Sequence, residues 1–135
     1  MADIIASSLK TYLETLTATH DVCDALGTRL VFGANLFIGV EPEITNCVTI
    51  IPYGGAPPSP EGDRQFAALQ LRTKTSTAKK SLNIGQGLIN LLHNNDSACS
   101  GRINAVQSAP IIIGFTEGGE NIITVTNFIV KHVKL

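Results

Sequence analysis

The chain has 135 residues, 44% of them apolar and 16% charged, which suits one domain spanning 1–135 that folds without a disulfide or metal staple. Ten basic and eleven acidic residues leave a formal charge of -1, and five Phe, two Tyr and no Trp offer few stacking surfaces, which argues against a net-basic nucleic-acid binder. No apolar run nears the ~20 residues of a membrane span, and Met1-Ala2-Asp3 lacks the basic start of a signal peptide, so a soluble product of a cytoplasm is expected.

Residues 2–18 place Ile5, Leu9, Tyr12, Leu13 and Leu16 on one stripe at helical spacing, with Asp3 as the N-cap. Residues 24–27 read as a turn that Gly27 stops. Residues 29–40 are rich in Leu, Val, Phe and Ile but broken by Gly33-Ala34-Asn35, which fits one bent strand or a loop and a strand. Residues 47–53 form a strand rich in β-branched side chains. The next stretch, 54–64, is a loop with Pro57, Pro58 and Pro60, residues that cannot continue a ladder. Loops of this length in a small domain are often functional.

Alternation returns at 65–74, where Ala67, Leu69 and Leu71 face one way and Gln70, Arg72 and Lys74 the other, a strand with one covered face. Ser76 caps a second helix over 77–93, with Ala78, Leu82, Gly85, Ile89 and Leu92 on its apolar face. Gly85 and Gly87 each disfavour that helix by ~1 kcal/mol against Ala, which points to a close approach to the sheet. Asn94-Asn95-Asp96 ends the helix. Residues 102–115 contain Pro110, the mark of an edge strand or a bulge. Glu117-Gly118-Gly119-Glu120 then turns the chain into a β-branched strand over 121–133. The order α-β-β-β-α-β-β predicts an α+β fold, an antiparallel or mixed β-sheet with two α-helices packed on one face.

Catalytic and ligand-binding patterns are absent from the sequence. Gly54-Gly55 lacks the Lys-Ser/Thr of a phosphate cradle, and Gly85-x-Gly87 sits inside a helix rather than at its start. His20, Cys23 and Asp24 lie close together, as do His93 and Cys99, but neither group has the second ligand pair of a zinc site. His93 reads instead as a residue complementing a helix C-terminus. Cys23, Cys47 and Cys99 are odd in number and scattered, which suits reduced, buried thiols. Glu41 and Glu43 read as solvated loop carboxylates. No acid, base and nucleophile assemble, so the chain is expected to be no enzyme, with no cofactor and no metal.

Charge is unevenly spread: residues 1–63 hold two basic against eight acidic residues, and residues 64–135 eight against three. A molecule with one acidic and one basic face can pack head to tail with its own copies. The last strand is long and apolar, with only Lys131, His132 and Lys134 to blunt its edge. These features favour a homo-oligomer built through edges and loops. Two other classes fit the composition: a ligand-binding or accessory α+β domain of a bacterial complex, and a small enzyme using Cys23 with His20.

At Tyr53-Gly54-Gly55-Ala56-Pro57-Pro58, followed by Gln70-Leu71-Arg72 and by Ser76-x-Ala78 at the opening of a helix, the chain resembles the minor capsid and tail terminator family of long-tailed bacteriophages. The element order is similar over nearly the whole chain. The resemblance implies a virion protein, made in the host cytoplasm, that forms a hexameric ring. The ring would cap the tail tube and join it to the head connector or a head-completion protein. DNA would only pass through its lumen, and no membrane would be involved. Ring contacts in the family involve the sheet and its loops, which carries over loosely to Tyr53, Gly55, Pro57, Pro58, Glu61, Asp63 and Arg64, and to Gln70, Arg72 and Lys74 on the strand after them. An acidic tip at Glu61 and Asp63 from one copy would then meet Arg72 and Lys74 on the next.

Overall fold

The computed structural model describes residues 2–53, 64–99, 101–115 and 121–133. In chain order these form α1 (Ala2–Glu14), α2 (Asp21–Leu26), β1 (Leu36–Ile38), β2 (Cys47–Tyr53), β3 (Arg64–Thr75), α3 (Ala78–Leu92), β4 (Arg102–Ala105), β5 (Ile111–Phe115) and β6 (Ile122–Val133). The strands make one mixed sheet in the order β1-β2-β3-β6-β4, with β5 also on β6. Among the described strands only β1 and β2 run parallel; the other pairs are antiparallel.

The alternation of β3 sets the two faces of this sheet. Leu69 and Leu71 lie in register with Phe128 and Thr126 of β6 on one side and with Pro52 and Ile50 of β2 on the other. That face is roofed by Ile5, Leu9 and Leu13 of α1 and by Ile84, Leu88 and Leu92 of α3, all fully buried. The two long helices therefore cover one face, α1 over β1 and β2, α3 over β3 and β6. The buried face of α3 runs through Ser81, Ile84, Gly85, Leu88 and Leu92, while Ala78 and Leu82 flank it half-buried. Ser81 enters the interior because its hydroxyl is satisfied there, accepting from Thr75 Oγ1 at 2.9 Å and donating to the Ile122 carbonyl at 3.1 Å.

Helix ends differ from the sequence expectations. The first helix already includes Ala2, upstream of the expected cap Asp3, and stops at Glu14 rather than at 18. The Arg29 guanidinium binds the Glu14 and Leu16 carbonyls at 3.0 and 3.1 Å, placing a cation at the negative end of the helix. Residues expected as a turn belong to α2, whose N-cap His20 accepts the Val22 amide and whose C-cap Gly27 sits at φ 95°. The cap of α3 is Thr77, one residue after Ser76, with its hydroxyl accepting the Lys80 amide at 3.2 Å.

The stretch 102–115 is both an edge and a bulge. Its two halves, β4 and β5, line the same side of β6, one against residues 128–131 and the other against 122–125. Residues 106–110 bow out between them opposite Thr126 and Asn127. Pro110, which has no amide hydrogen to give a ladder, sits in that bow. The last strand is consequently interior: β6 pairs along its whole length with β3 and on its other side with β4 and β5. The expectation that its edge is unprotected is overturned, because 102–115 covers it. The hairpin turn expected at 117–120 lies outside the described residues.

Gly85 packs where the bow meets the helix. A Cβ there would lie 2.7 Å from Pro110 Cβ and 3.5 Å from Thr126 Cγ2, so the close approach to the sheet is real. Gly87 instead faces α2, where a Cβ would meet Val22 Cγ2 at 3.0 Å. Gly85→Ala is expected to lose about 1–3 kcal/mol in urea unfolding despite alanine's higher helix propensity, since overpacking outweighs it. A stabilised Gly85→Ala protein would show that the Pro110 bow yields freely.

Candidate functional site

The face of the sheet opposite the helices carries Cys47 and Thr49 of β2, Gln70, Arg72 and Lys74 of β3 and Asn127 of β6. Cross-strand register places Thr49 beside Arg72, Cys47 beside Lys74, and Gln70 beside Asn127. Two arrangements result, one open and one covered.

The open part is a row of amides. Gln70 Nε2 donates to Asn127 Oδ1 at 3.1 Å, and Asn127 Nδ2 donates to Gln107 Oε1 at 3.0 Å. Gln107 Nε2 in turn donates to the Val125 and Ala109 carbonyls at 3.2 and 3.0 Å, tying the bow to β6. Tyr53, 45% exposed, points its hydroxyl at the same Asn127 oxygen from 3.5 Å. The structure thus brings Tyr53 and Gln70 together through Asn127, a residue the sequence reading did not single out. Its place opposite Gln70 depends on the β3–β6 register, which no local pattern encodes.

The covered part holds Arg72 and Lys74. The connection 39–46 between the parallel strands β1 and β2 crosses over them. Glu41 Oε2 lies 3.5 Å from the Arg72 guanidinium, and Lys74 Nζ donates to the Pro42 carbonyl. Lys74 is only 4% exposed. Glu41 is therefore not a freely solvated loop carboxylate, and the basic stripe is already occupied by the chain's own acidic connection. This pairing across the two halves offsets part of the charge polarity seen in the sequence, whereas Lys10–Glu14 at 3.5 Å and Arg102–Asp96 at 3.6 Å each lie within one half and leave it unchanged. Gly55, Pro57, Pro58, Glu61 and Asp63 lie outside the described residues. Arg64 opens β3, and its side chain is outside them as well.

The exposed apolar surface is concentrated on the rim of the sheet. Ile111, Ile112, Ile113 and Phe115 of β5 are 50, 43, 49 and 65% exposed, a run of large side chains on an edge strand. Val106 in the bow adds to it. At the β1 end of the sheet, Val31, Phe32 and Val40 are exposed, with Lys10 Nζ 5.2 Å from the Phe32 ring centroid.

A surface groove of about 570 Å³ runs between α3 and the bow, lined by Gln86, Asn90, His93, Gln107 and Ser108 with Ile89, Ala105 and Val106. His93 Nδ1 accepts the Ala105 amide at 3.0 Å, so His93 docks β4 onto the end of α3. His20 is the cap of α2, and Cys23 is fully buried in the core, so the two are separated by function although close in sequence. Burial pushes the Cys47 thiol up to about 11, with Glu41 adding to the rise and Lys74 opposing it. Burial likewise pushes Cys99 up to about 11. Both thiols are protonated at neutral pH. Among the described residues no three His, Cys, Asp or Glu side chains gather into a group able to hold a metal ion, and no helix is long and apolar enough to cross a membrane. Neither models of protein families nor curated proteins give a match to the chain.

Proposed function

We propose that this chain is a non-enzymatic virion assembly protein of the tail terminator kind, which forms a homo-oligomeric ring, most simply a hexamer, on the end of a tail tube. In this reading the ring joins the tube to a head connector or head-completion protein, and DNA only passes through its lumen. The observation that supports it is β5, an edge strand whose Ile111, Ile113 and Phe115 are about half exposed or more. A protein working alone blunts such an edge with charge or cover. Here the opposite rim of the same sheet also carries exposed apolar residues, Val31, Phe32 and Val40. Two unlike apolar rims on one open sheet suit head-to-tail contact, in which each copy hides both rims at once and rotation closes the ring.

Light scattering on the parent and on an Ile111→Lys/Phe115→Lys variant tests this. The parent is expected to reach six chain masses, alone at high concentration or on tail tubes. The variant should remain monomeric while its melting temperature moves by no more than about 2 °C, because both side chains are exposed. A parent that stays monomeric at millimolar concentration and on tail tubes sinks the reading. That outcome would favour the accessory-domain alternative, for which the groove between α3 and the bow is the specific support.

A further inference from the structure

The connection 39–46 has an unusual construction. It crosses a sheet face, yet none of its residues is buried: Val40 is 79% and Ile44 38% exposed, and no residue of 39–46 joins the hydrophobic core. What lies beneath it is buried, including Cys47 and Thr49 at 0% and Lys74 at 4% exposure. The cover is fastened by polar contacts: Glu41 to Arg72, Lys74 to the Pro42 carbonyl, Thr45 Oγ1 to Asn121 Oδ1 at 2.8 Å, and Cys47 Sγ to the Ile44 carbonyl at 3.6 Å. Both of its ends sit in the left-handed region, Gly39 at φ 89° and Asn46 at φ 63°.

The fastening is also imperfect. Glu41 Oε1, Arg72 Nε, Thr49 Oγ1 and Asn46 Oδ1 are buried without a hydrogen-bond partner among the described residues. All four lie in the connection or directly under it, and each would regain water if the cover lifted. A segment with no residue in the hydrophobic core, a few polar fastenings and desolvated groups beneath it belongs to the low-stability end of a fold.

We infer that residues 39–46 form a strap that lifts as a unit while the rest of the domain stays folded, uncovering Arg72, Lys74 and Thr49, and that the Glu41–Arg72 pair is its latch. The surface so uncovered is cationic, through Arg72 and Lys74, and continuous with the amide row of Gln70 and Asn127, the chemistry that takes an acidic segment of a partner. This is independent of the oligomeric state proposed above.

Cys47 under the strap and Cys23 and Cys99 in the core make the opening measurable in the full chain. The probe is a thiol reagent at fixed pH, with each modified cysteine located by peptide mass. If the strap lifts on its own, Cys47 reacts at least about tenfold faster than Cys23 and Cys99, which wait for unfolding of the core. Glu41→Gln should raise the Cys47 rate about fivefold and leave the other two unchanged. Glu43→Gln, on the same strap but exposed, should change none of the three. Hydrogen exchange of the 39–49 backbone, which thiolate formation does not influence, should rise in parallel in Glu41→Gln. Equal rates for all three cysteines in the parent, or a Glu41→Gln effect on all three alike, would overturn the inference. A Glu41→Gln protein that fails to fold leaves the parent's Cys47-to-Cys99 rate ratio and its 39–49 exchange as the deciding measurements.

Discussion

Phe128→Ala is expected to lose about 3–5 kcal/mol of stability, among the largest effects of any single substitution in the chain. Phe128 is fully buried on β6, facing the helices, with Leu69 of β3 on one side and Ala105 of β4 on the other. Paired strands hold the backbone on both sides, so the cavity cannot collapse by moving β6. Phe128→Leu should lose less, because most of the volume remains. Phe115→Ala on the exposed edge is the matched control and should fall within about 0.5 kcal/mol of the parent. Urea unfolding at neutral pH reads all three. A Phe128→Ala loss below about 1.5 kcal/mol would mean that the helix face of the sheet can rearrange around the gap.

Asn95→Ala comes next, with an expected loss of about 2–4 kcal/mol from a residue that is not itself apolar. Its Nδ2 donates to the Tyr12 hydroxyl at 3.2 Å and to the Leu91 carbonyl at 3.1 Å. Its Oδ1 accepts the amides of Ser97 at 2.8 Å and Ala98 at 3.0 Å. One side chain therefore ties α1, the end of α3 and the turn that leads to β4. The backbone of Asn95 pairs with Ile103 and survives the substitution, so the loss belongs to the side chain. Each bond contributes about 0.5–1.5 kcal/mol net, and the Ala98 amide would be left without its acceptor in a buried position. Asn95→Asp keeps the acceptor and loses the donors, and should recover about half of the loss. An Asn95→Ala protein within 1 kcal/mol of the parent, on the same ~1 kcal/mol scale per bond, would show that these elements are held by packing alone.

The sequence carried the helix-covered face of the sheet well, because that face is written in local periodicity. Of the stripe Ile5, Leu9, Tyr12, Leu13 and Leu16, all but the half-buried Tyr12 are found buried, although Leu16 lies just past the end of α1, and Leu69 and Leu71 of the alternating strand are buried as well. Pro110 marked the bow for the same kind of local reason. What was missed depends on distance along the chain. The six residues of α2 are fewer than two helical turns, too short for a periodic signal. Glu41 and Arg72 are 31 residues apart, so a contact between them has no local signature and each charge reads as solvated. The burial of β6 did leave a trace. Its two faces are both apolar in part, Ile123 and Val125 on one and Phe128 and Val130 on the other, as a strand covered on both faces requires. Asn95 looked like a helix terminator, and its role as a hub rests on Tyr12, 83 positions away.

The interior place of β6 has a consequence for the order in which the fold can be made. β3 finds its longest partner in β6, which follows every other described strand in chain order, and β4 and β5 pair with no other strand among the described residues. Until β6 emerges, β3 exposes one whole flank and β4 and β5 hang as unpaired segments. The helices α1 and α3 rest on local hydrogen bonds, but the sheet beneath them can be complete only once β6 has been made. Closing it means joining segments far apart in sequence, which slows folding and lengthens the time that Ile111, Ile112 and Ile113 spend without a neighbouring strand. The nascent chain is therefore most open to wrong pairing in the interval before β6 arrives.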